Sequence, residues 1–374
     1  MPTRSRARSR DIVRSVVAMR RLVPLDQMRG LVMVLMTIDH ASGAFNAGRL
    51  MTDSAARFKP GTSIDTAQFF TRWITHLCAP TFVFLAGAAL ALSVARRQAA
   101  GMAPSRIDRD IAIRGVLLVA LELVWMSWIW RFGKVAPFHW YLLQVLYAIG
   151  GSMLCMIALR RLSTRALLVT AIAILVGFEA LARALPGGLG KGLLVWTWST
   201  PRLEISYPLV PWLAIMMLGW AFGRHPPSPR QLALCGLGAL ALFCIVRGLD
   251  GYGNALLYRD DSSLVQWLHV SKYPPSLAYT ALELGLMALV LAALMQLDRP
   301  GPRWLVVLGQ TALFFYVLHV HVLKLAAYAL GRLRSEGLAA TYLSAALAIV
   351  VLLPLCSAYR RYKSAHPETW VRFL

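Results

Sequence analysis

The stretch RGLVMVLMTIDHASGAF, residues 29–45, decides the fold, because its composition is close to that of a membrane-spanning helix. It is almost wholly apolar from Leu31 to Ile38, and then Asp39 and His40 follow side by side. About 20 largely apolar residues are enough to cross a bilayer as a helix. Inserting an ionisable group into a membrane costs roughly 2.5–3.5 kcal/mol on insertion scales. The presence of this pair within an apolar helix therefore needs a reason, and a functional role is one.

The same apolar pattern continues along the chain. Of its 374 residues, 58% are hydrophobic and only 15% are charged, which is not typical of a soluble domain. Ten apolar runs are found, near residues 28–48, 74–95, 110–130, 139–159, 166–184, 207–223, 231–248, 276–296, 305–328 and 338–358. Because lipid offers the backbone no hydrogen bonds, each run is predicted to be a helix. The predicted fold is an all-α, polytopic membrane bundle of about ten transmembrane helices.

The net charge of +22 first suggests nucleic acid, but the basic residues lie at the ends of the apolar runs, so no nucleic-acid partner is expected. With the N-terminus in the cytoplasm, 23 Lys and Arg fall inside and 14 outside. This bias predicts that both termini are cytoplasmic. The membrane expected for the protein is a bacterial-type inner membrane. The predicted segments are a basic, disordered cytoplasmic tail over 1–22 that touches anionic lipid, a transmembrane domain over 23–360 and a cytoplasmic tail over 361–374.

Most ionisable groups within the predicted helices lie at one depth, in the outer half of the bundle. They are Asp39, His40, His76, His139, Glu179, Glu283, His319 and His321. For Glu122 and Glu179, packing against a neighbouring helix and a functional role are both open, whereas His319 and His321 are expected to be packing or interfacial residues. Metal ligands on a helix favour i, i+4 spacing, which these two histidines lack, so no metal is expected. The available chemistry is acid–base catalysis by a histidine.

At this point the sequence resembles a known family. RLVPLDQMRGLVMVLMTIDH, residues 21–40, resembles the start of the heparan-alpha-glucosaminide N-acetyltransferase catalytic domain family and its bacterial branch. Three later stretches resemble further signatures of that branch: TRWITHLCAPTFVFLAG (71–87), SKYPPSL (271–277) and GQTALFFYVLHVHVLK (309–324). The pattern R-x-x-x-L-D-x-x-R-G that begins at Arg21 is shared more widely among transmembrane acyltransferases.

The resemblance implies transfer of an acetyl or other acyl group from cytosolic acyl-CoA to an extracytoplasmic sugar or glycan. The implied partners are acetyl-CoA as donor substrate, a saccharide acceptor and the lipid bilayer; a homo-oligomer stays open. Arg21 and Arg29 lie at the predicted cytoplasmic end, where a CoA phosphate would meet positive charge, and Asp26 is placed to hold Arg29.

Two histidines compete for the role of general base. In the family, the catalytic histidine follows the first helix and an asparagine ends that helix; here His40 occupies the asparagine position, and His76 is the nearest alternative. Asp39 would orient the imidazole or favour its protonated form. The substrate-side candidates are Arg72, Lys272, Tyr273, Glu283 and His319. Direct transfer and an acyl-enzyme intermediate both stay open.

Two other classes of function compete with acyl transfer. A proton-coupled transporter or carrier could use the same intramembrane Asp, His and Glu residues as a relay. A membrane scaffold for envelope synthesis would need no catalysis. Binding of CoA from the cytoplasmic side separates the acyltransferase from both alternatives.

Overall fold

The structure is a computed structural model that describes residues 3–132, 141–297, 301–366, 368 and 369, with only the backbone described for residues 3–22. Within these residues the chain is a bundle of helices. The helices are α1 (Thr3–Phe45), α2 (Thr66–Trp73), α3 (Cys78–Ala99), α4 (Pro104–Ala120), α5 (Ser127–Arg131), α6 (Val145–Leu159), α7 (Thr164–Ala184), α8 (Leu189–Leu194), α9 (Leu209–Arg224), α10 (Pro229–Leu249), α11 (Leu264–Leu268), α12 (Leu277–Gln296), α13 (Arg303–Gln310), α14 (Ala312–Ala329) and α15 (Leu338–Ala365). A π-helical turn, Leu121–Met126, joins α4 to α5.

The all-α membrane bundle is confirmed. Among the described residues, seven helical stretches are long and apolar enough to cross a membrane by length and composition. They are Thr66–Ala99, Pro104–Arg131, Thr164–Ala184, Pro229–Leu249, Leu277–Gln296, Ala312–Ala329 and Leu338–Ala365. Helices α6 and α9 are apolar but shorter. The count of ten spans and the cytoplasmic termini stay predictions, and His139 lies outside the described residues.

Residues 3–22 differ from the predicted disordered tail, because their backbone continues α1. The stretch contains seven Arg, a residue of high helix propensity, and no Gly. The segment boundaries at 22, 23 and 360 stay predictions.

Close helix contacts hold α1 in the bundle. A Cβ added to Gly30 would lie 2.0 Å from the carbonyl oxygen of Leu305 on α13, and one added to Gly309 would lie 1.9 Å from that of Asp26. Such small residues let two backbones approach directly, as in other membrane helix pairs. The α1–α13 contact therefore positions the middle of α1, which carries the predicted donor residues Asp26 and Arg29.

Helix α9 forms the centre of the bundle. It is buried along nearly its whole length, and both Trp212 and Trp220 are fully buried. By contrast, α10 and α15 expose apolar side chains such as Ile245 and Val350, as expected where helices face lipid. Both shorter apolar helices pack against other helices, α6 against α4 and α9, and α9 against α3 and α7.

The segments that precede α6 and α9 form a small sheet, which the sequence did not predict. Its strands are β1 (Tyr141–Leu143), β2 (Trp198–Ser199) and β3 (Leu203–Ile205), in the order β1-β3-β2. β1 pairs in parallel with β3, and β2 pairs antiparallel with β3. The sheet carries Glu204 to the rim of the site described next.

Candidate functional site

Two cavities lie along α1, one near its middle and one near its C-terminal end. The outer cavity, of about 150 Å³, is lined by residues that include Asp39, His40 and Lys272. The inner cavity, of about 400 Å³, is lined by residues that include Asp26 and Arg29. We name them by the sides of the membrane that the charge bias predicts.

The two cavities share part of their walls. Phe82, Val145 and Tyr316 line both of them. The ring of His40 lies edge-on to Tyr316, with 6.1 Å between ring centroids, and lines the outer cavity alone. His40 therefore lies on the outer side of the shared wall.

His40 is held by residues from distant parts of the chain. Its Nδ1 lies 2.7 Å from Nε2 of His319, and the two rings are nearly parallel, with 10° between their planes. Trp130 packs edge-on against His40, with ring centroids 4.9 Å apart. His319 is fully buried on α14 and lies behind His40, outside the cavity lining. The expectation that His319 only packs is therefore incomplete, because its ring is paired with another imidazole.

Asp39 binds arginines rather than the adjacent His40. Its Oδ1 accepts a hydrogen bond from Nη1 of Arg72 at 2.5 Å and lies 2.9 Å from Nη2 of Arg49. Thr75 also donates to the same oxygen at 3.3 Å. Asp39 thus holds two guanidinium groups at the cavity wall.

A second acid, Asp53, lies behind this network. Arg72 bridges the two acids, because its Nη2 donates to Oδ2 of Asp53 at 2.6 Å. Burial alone would raise the pKa of Asp53, but the Arg72 guanidinium and the adjacent His76 hold that pKa well below its ordinary value. The backbone amides of Lys272 and Tyr273 donate to the carbonyl oxygen of Asp53, which ties the outer loops together.

His76, the other candidate base, is buried and does not line the outer cavity. Its Nε2 lies 3.3 Å from Oδ2 of Asp53, without the geometry of a hydrogen bond. Tyr279 packs against the ring and donates its hydroxyl hydrogen to the His76 carbonyl oxygen at 3.0 Å. These contacts place His76 in the support of the arginine network.

Lys272 and Tyr273, two of the substrate-side candidates, both line the outer cavity. The Lys272 Nζ lies 5.4 Å from the centroid of the Tyr273 ring. Burial alone would raise the pKa of Tyr273, but Lys272 and Arg72 lower that pKa below its ordinary value. Positive charge is thus the dominant electrostatic feature of this wall.

Charge across the whole outer cavity is also strongly positive. Its lining contains six cationic and two acidic side chains. The cations are Arg49, Arg57, Arg72, Lys272, Lys324 and Arg334, and the acids are Asp39 and Glu204. Arg57 pairs with Glu204 at 2.5 Å. The cavity can therefore attract an anionic molecule.

The remaining intramembrane groups have mostly structural contacts. Oε2 of Glu122 accepts a hydrogen bond from the amide of Leu146 at 2.8 Å, at the start of α6. Oε2 of Glu179 accepts from the amides of Gly253 and Ala255, which anchors an outer loop. Glu283 is buried and lies outside the lining of the outer cavity.

Donor-side candidates lie at the inner cavity. Arg29 pairs with Asp26 at 3.0 Å and also donates to the carbonyl oxygen of Leu85, so its guanidinium is fixed. Gln310 donates to the other oxygen of Asp26 at 2.9 Å. Arg97, Arg114 and Lys363 line the same cavity. The side chain of Arg21 lies outside the described residues.

Sequence reasoning missed several residues of the site. Arg49 and Asp53 lie in the loop after α1, where nothing in the sequence distinguishes them from surface charges. Tyr316 stands within the stretch 309–324, so attention to its aromatic residues would have found it. Within the described ranges, no group of three or more His, Cys, Asp or Glu could hold a metal ion.

Comparison with known proteins assigns the chain to a family. The sequence model of the heparan-alpha-glucosaminide N-acetyltransferase catalytic domain matches residues 21–256. This range includes α1 from residue 21 onward, both arginines that bind Asp39, and Asp26 and Arg29 of the inner cavity. No curated protein matches the chain. The family and the apolar helices together indicate a multi-pass membrane acetyltransferase. The chain belongs to the heparan-alpha-glucosaminide N-acetyltransferase catalytic family.

Proposed function

We propose that the protein transfers acetyl from acyl-CoA bound in the inner cavity to a saccharide bound in the outer cavity, with His40 as general base. The observation that carries this proposal is the wall of Phe82, Val145 and Tyr316, which is common to both cavities. A donor and an acceptor on opposite sides of that wall would meet next to His40.

The charge of the inner cavity suits a CoA donor. Arg29, Arg97, Arg114 and Lys363 supply four cations, against the two acids Asp26 and Asp110. Arginine guanidinium groups bind phosphate through charge-assisted hydrogen bonds. Apolar residues such as Met33 and Leu90 line the remainder, where the pantetheine arm would extend toward the shared wall.

The reaction on the acceptor side needs one base. The acceptor amine or hydroxyl attacks the thioester carbon, a new N–C or O–C bond forms, and the C–S bond breaks. His40 takes the proton of the attacking group and returns it to the departing sulfur, so atoms and charges balance. Holding both substrates at one wall also lowers the entropic part of the barrier.

His40 is favoured over His76 by position. His40 lines the outer cavity, while His76 is buried next to Asp53 and Tyr279 and outside that lining. A general base must come within hydrogen-bond reach of the proton that it removes. We therefore assign His76 to the support of Asp53 and, through it, of Arg72.

An anionic saccharide is the acceptor that the outer cavity favours. Six cations against two acids would attract a sugar that carries a carboxylate, sulfate or phosphate group. Arg72 and Arg49 are already held by Asp39, which leaves their positions fixed when the acceptor arrives.

The test is acetyl transfer by the purified protein in sealed vesicles. Labelled acetyl-CoA is supplied on the side of residues 96–109, and amino sugars with and without a carboxylate are supplied on the other side. Acetylated sugar in the opposite compartment is the expected product, with higher kcat/KM for the anionic sugar. Passage of unmodified sugar without acetylation would instead support the carrier hypothesis.

A further inference from the structure

We propose that His319 is a positioning residue that fixes the tautomer of His40. This inference rests on the proposed function, because it presupposes that His40 is the base. It concerns the one side chain of α14 that is fully buried directly behind the His40 ring and hydrogen-bonded to it.

The hydrogen bonds of His319 determine where its proton lies. Its Nδ1 is 2.9 Å from the carbonyl oxygen of Phe315, one turn earlier on α14. A carbonyl oxygen can only accept a hydrogen bond, so Nδ1 of His319 carries the hydrogen. In a neutral imidazole the other nitrogen, Nε2, is then an acceptor.

The tautomer of His40 follows from this. Its Nδ1 lies 2.7 Å from that acceptor, so Nδ1 of His40 carries a hydrogen and donates it to His319. Nε2 of His40 therefore keeps its lone pair, as a base requires. When His40 takes a proton it becomes a cation, and the same hydrogen bond becomes charge-assisted and stronger.

Packing holds the His319 ring in this orientation. The ring of Phe315 lies parallel to it, with 7° between the planes and 5.0 Å between the centroids. Tyr316 contacts both imidazoles, and Trp130 contacts His40. Asp39 adjoins His40 in sequence, but its side chain is taken by Arg49 and Arg72.

His321 offers a matched control on the same helix. Its Nδ1 also bonds to the carbonyl four residues earlier, that of Val317, at 2.6 Å. Its ring packs against Trp125 and Trp128 rather than His40. A substitution at 321 therefore removes the same kind of side chain and helix contact without touching the base.

The experiment compares His319→Leu, His319→Gln and His321→Leu in single-turnover acetyl transfer, together with the Kd for acetyl-CoA. We expect His319→Leu to lower the transfer rate about 10–100-fold, the loss found when the partner that orients a metal-binding histidine is removed, with Kd unchanged. Gln can accept the hydrogen bond from Nδ1 of His40, so it should recover most of the rate. His321→Leu should stay near the wild-type rate.

The outcomes separate this inference from the proposed function. If His319→Leu and His321→Leu lower the rate equally, or if Gln is as slow as Leu while both bind acetyl-CoA normally, the positioning role is wrong. If His40→Ala transfers acetyl at the wild-type rate, the proposed function itself fails, whatever the His319 variants do.

Discussion

At the scale of single residues, Asp39 and His40 show how two neighbours on one helix serve different partners. Successive helix residues project about 100° apart, so the two side chains cannot share one partner on another helix. Asp39 binds Arg49 and Arg72, whereas His40 pairs with His319. The acid thus arranges the cationic wall, and the imidazole is left for proton transfer in the proposed reaction.

The first prediction separates the two candidate bases. His40→Ala should lower the single-turnover rate of acetyl transfer by about 10²–10⁴, the usual loss for a general base. Its acetyl-CoA affinity should not change, because His40 does not line the inner cavity. His76→Ala should lower the thermal midpoint of unfolding, since His76 supports Asp53, and should lower the transfer rate less than His40→Ala does. A larger rate loss for His76→Ala than for His40→Ala would reverse the assignment.

The second prediction concerns the donor. Arg29→Ala should weaken acetyl-CoA binding about 10-fold or more, since a hydrogen bond to a charged group contributes roughly 1.5–3 kcal/mol. Isothermal titration of the purified protein measures this change. Arg106→Ala is the matched control, because Arg106 is exposed on α4 and does not line the inner cavity. Equal affinities for the two variants would leave Arg29 with a role in topology alone.

At the scale of helices, backbone contact between α1 and α13 decides where the donor residues lie. Gly30 and Gly309 permit this contact, and Asp26 then reaches Gln310 while it holds Arg29. The position of Arg29 in the cavity wall therefore depends on two glycines at the helix contact, and one of them, Gly309, also lines the inner cavity. A side chain at either position would push the two helices apart.

The third prediction tests this contact. Gly309→Ala should destabilise the protein by about 1–3 kcal/mol, as overpacking does, and should also weaken acetyl-CoA binding. Gly177→Ala on α7 is the control, because an added Cβ there meets no atom within 4 Å and Ala favours a helix more than Gly does. Thermal unfolding in detergent measures both. A Gly309→Ala variant as stable as Gly177→Ala would contradict the close α1–α13 contact.

At the scale of the whole molecule, one cavity lies near the middle of α1 and the other near its C-terminal end, and the two meet at one wall. The outer cavity carries Arg49, Arg72 and Lys272, and the inner cavity carries Arg29 and Arg97. Each cavity is therefore cationic, but each would draw its ligand from a different side. In the proposed reaction, acetyl would therefore cross the membrane without movement of the donor through it.

The fourth prediction tests the orientation of that arrangement. Single cysteines at the exposed positions 60 and 187 should react with an impermeant maleimide from outside, and one at position 105 should react only after the membrane is opened. The background is a variant without the five native cysteines. Labelling of position 187 from the cytoplasmic side alone would overturn the charge-based topology.

The amino-acid sequence by itself determined the class of structure and the family. Apolar runs long enough to cross lipid permit only helices, because every backbone amide must be bonded within its own segment. The stretches 21–40 and 71–87 resemble the family to which the chain belongs, and both lie in the region that its model matches. Such features depend on neighbouring residues, so no tertiary contact is needed to recognise them.

Only the tertiary structure decided which polar groups act together. His40 and His319 are 279 residues apart, and Arg57 reaches Glu204 across 147 residues. Those pairs depend on how helices and outer loops pack, and neither hydrophobic periodicity nor charge counts encode that packing. The same packing placed His76 and Glu283 outside the lining of the outer cavity and brought Asp53 in behind Arg72. Burial within a bundle depends on what each helix face contacts, and depth in the membrane alone does not determine it.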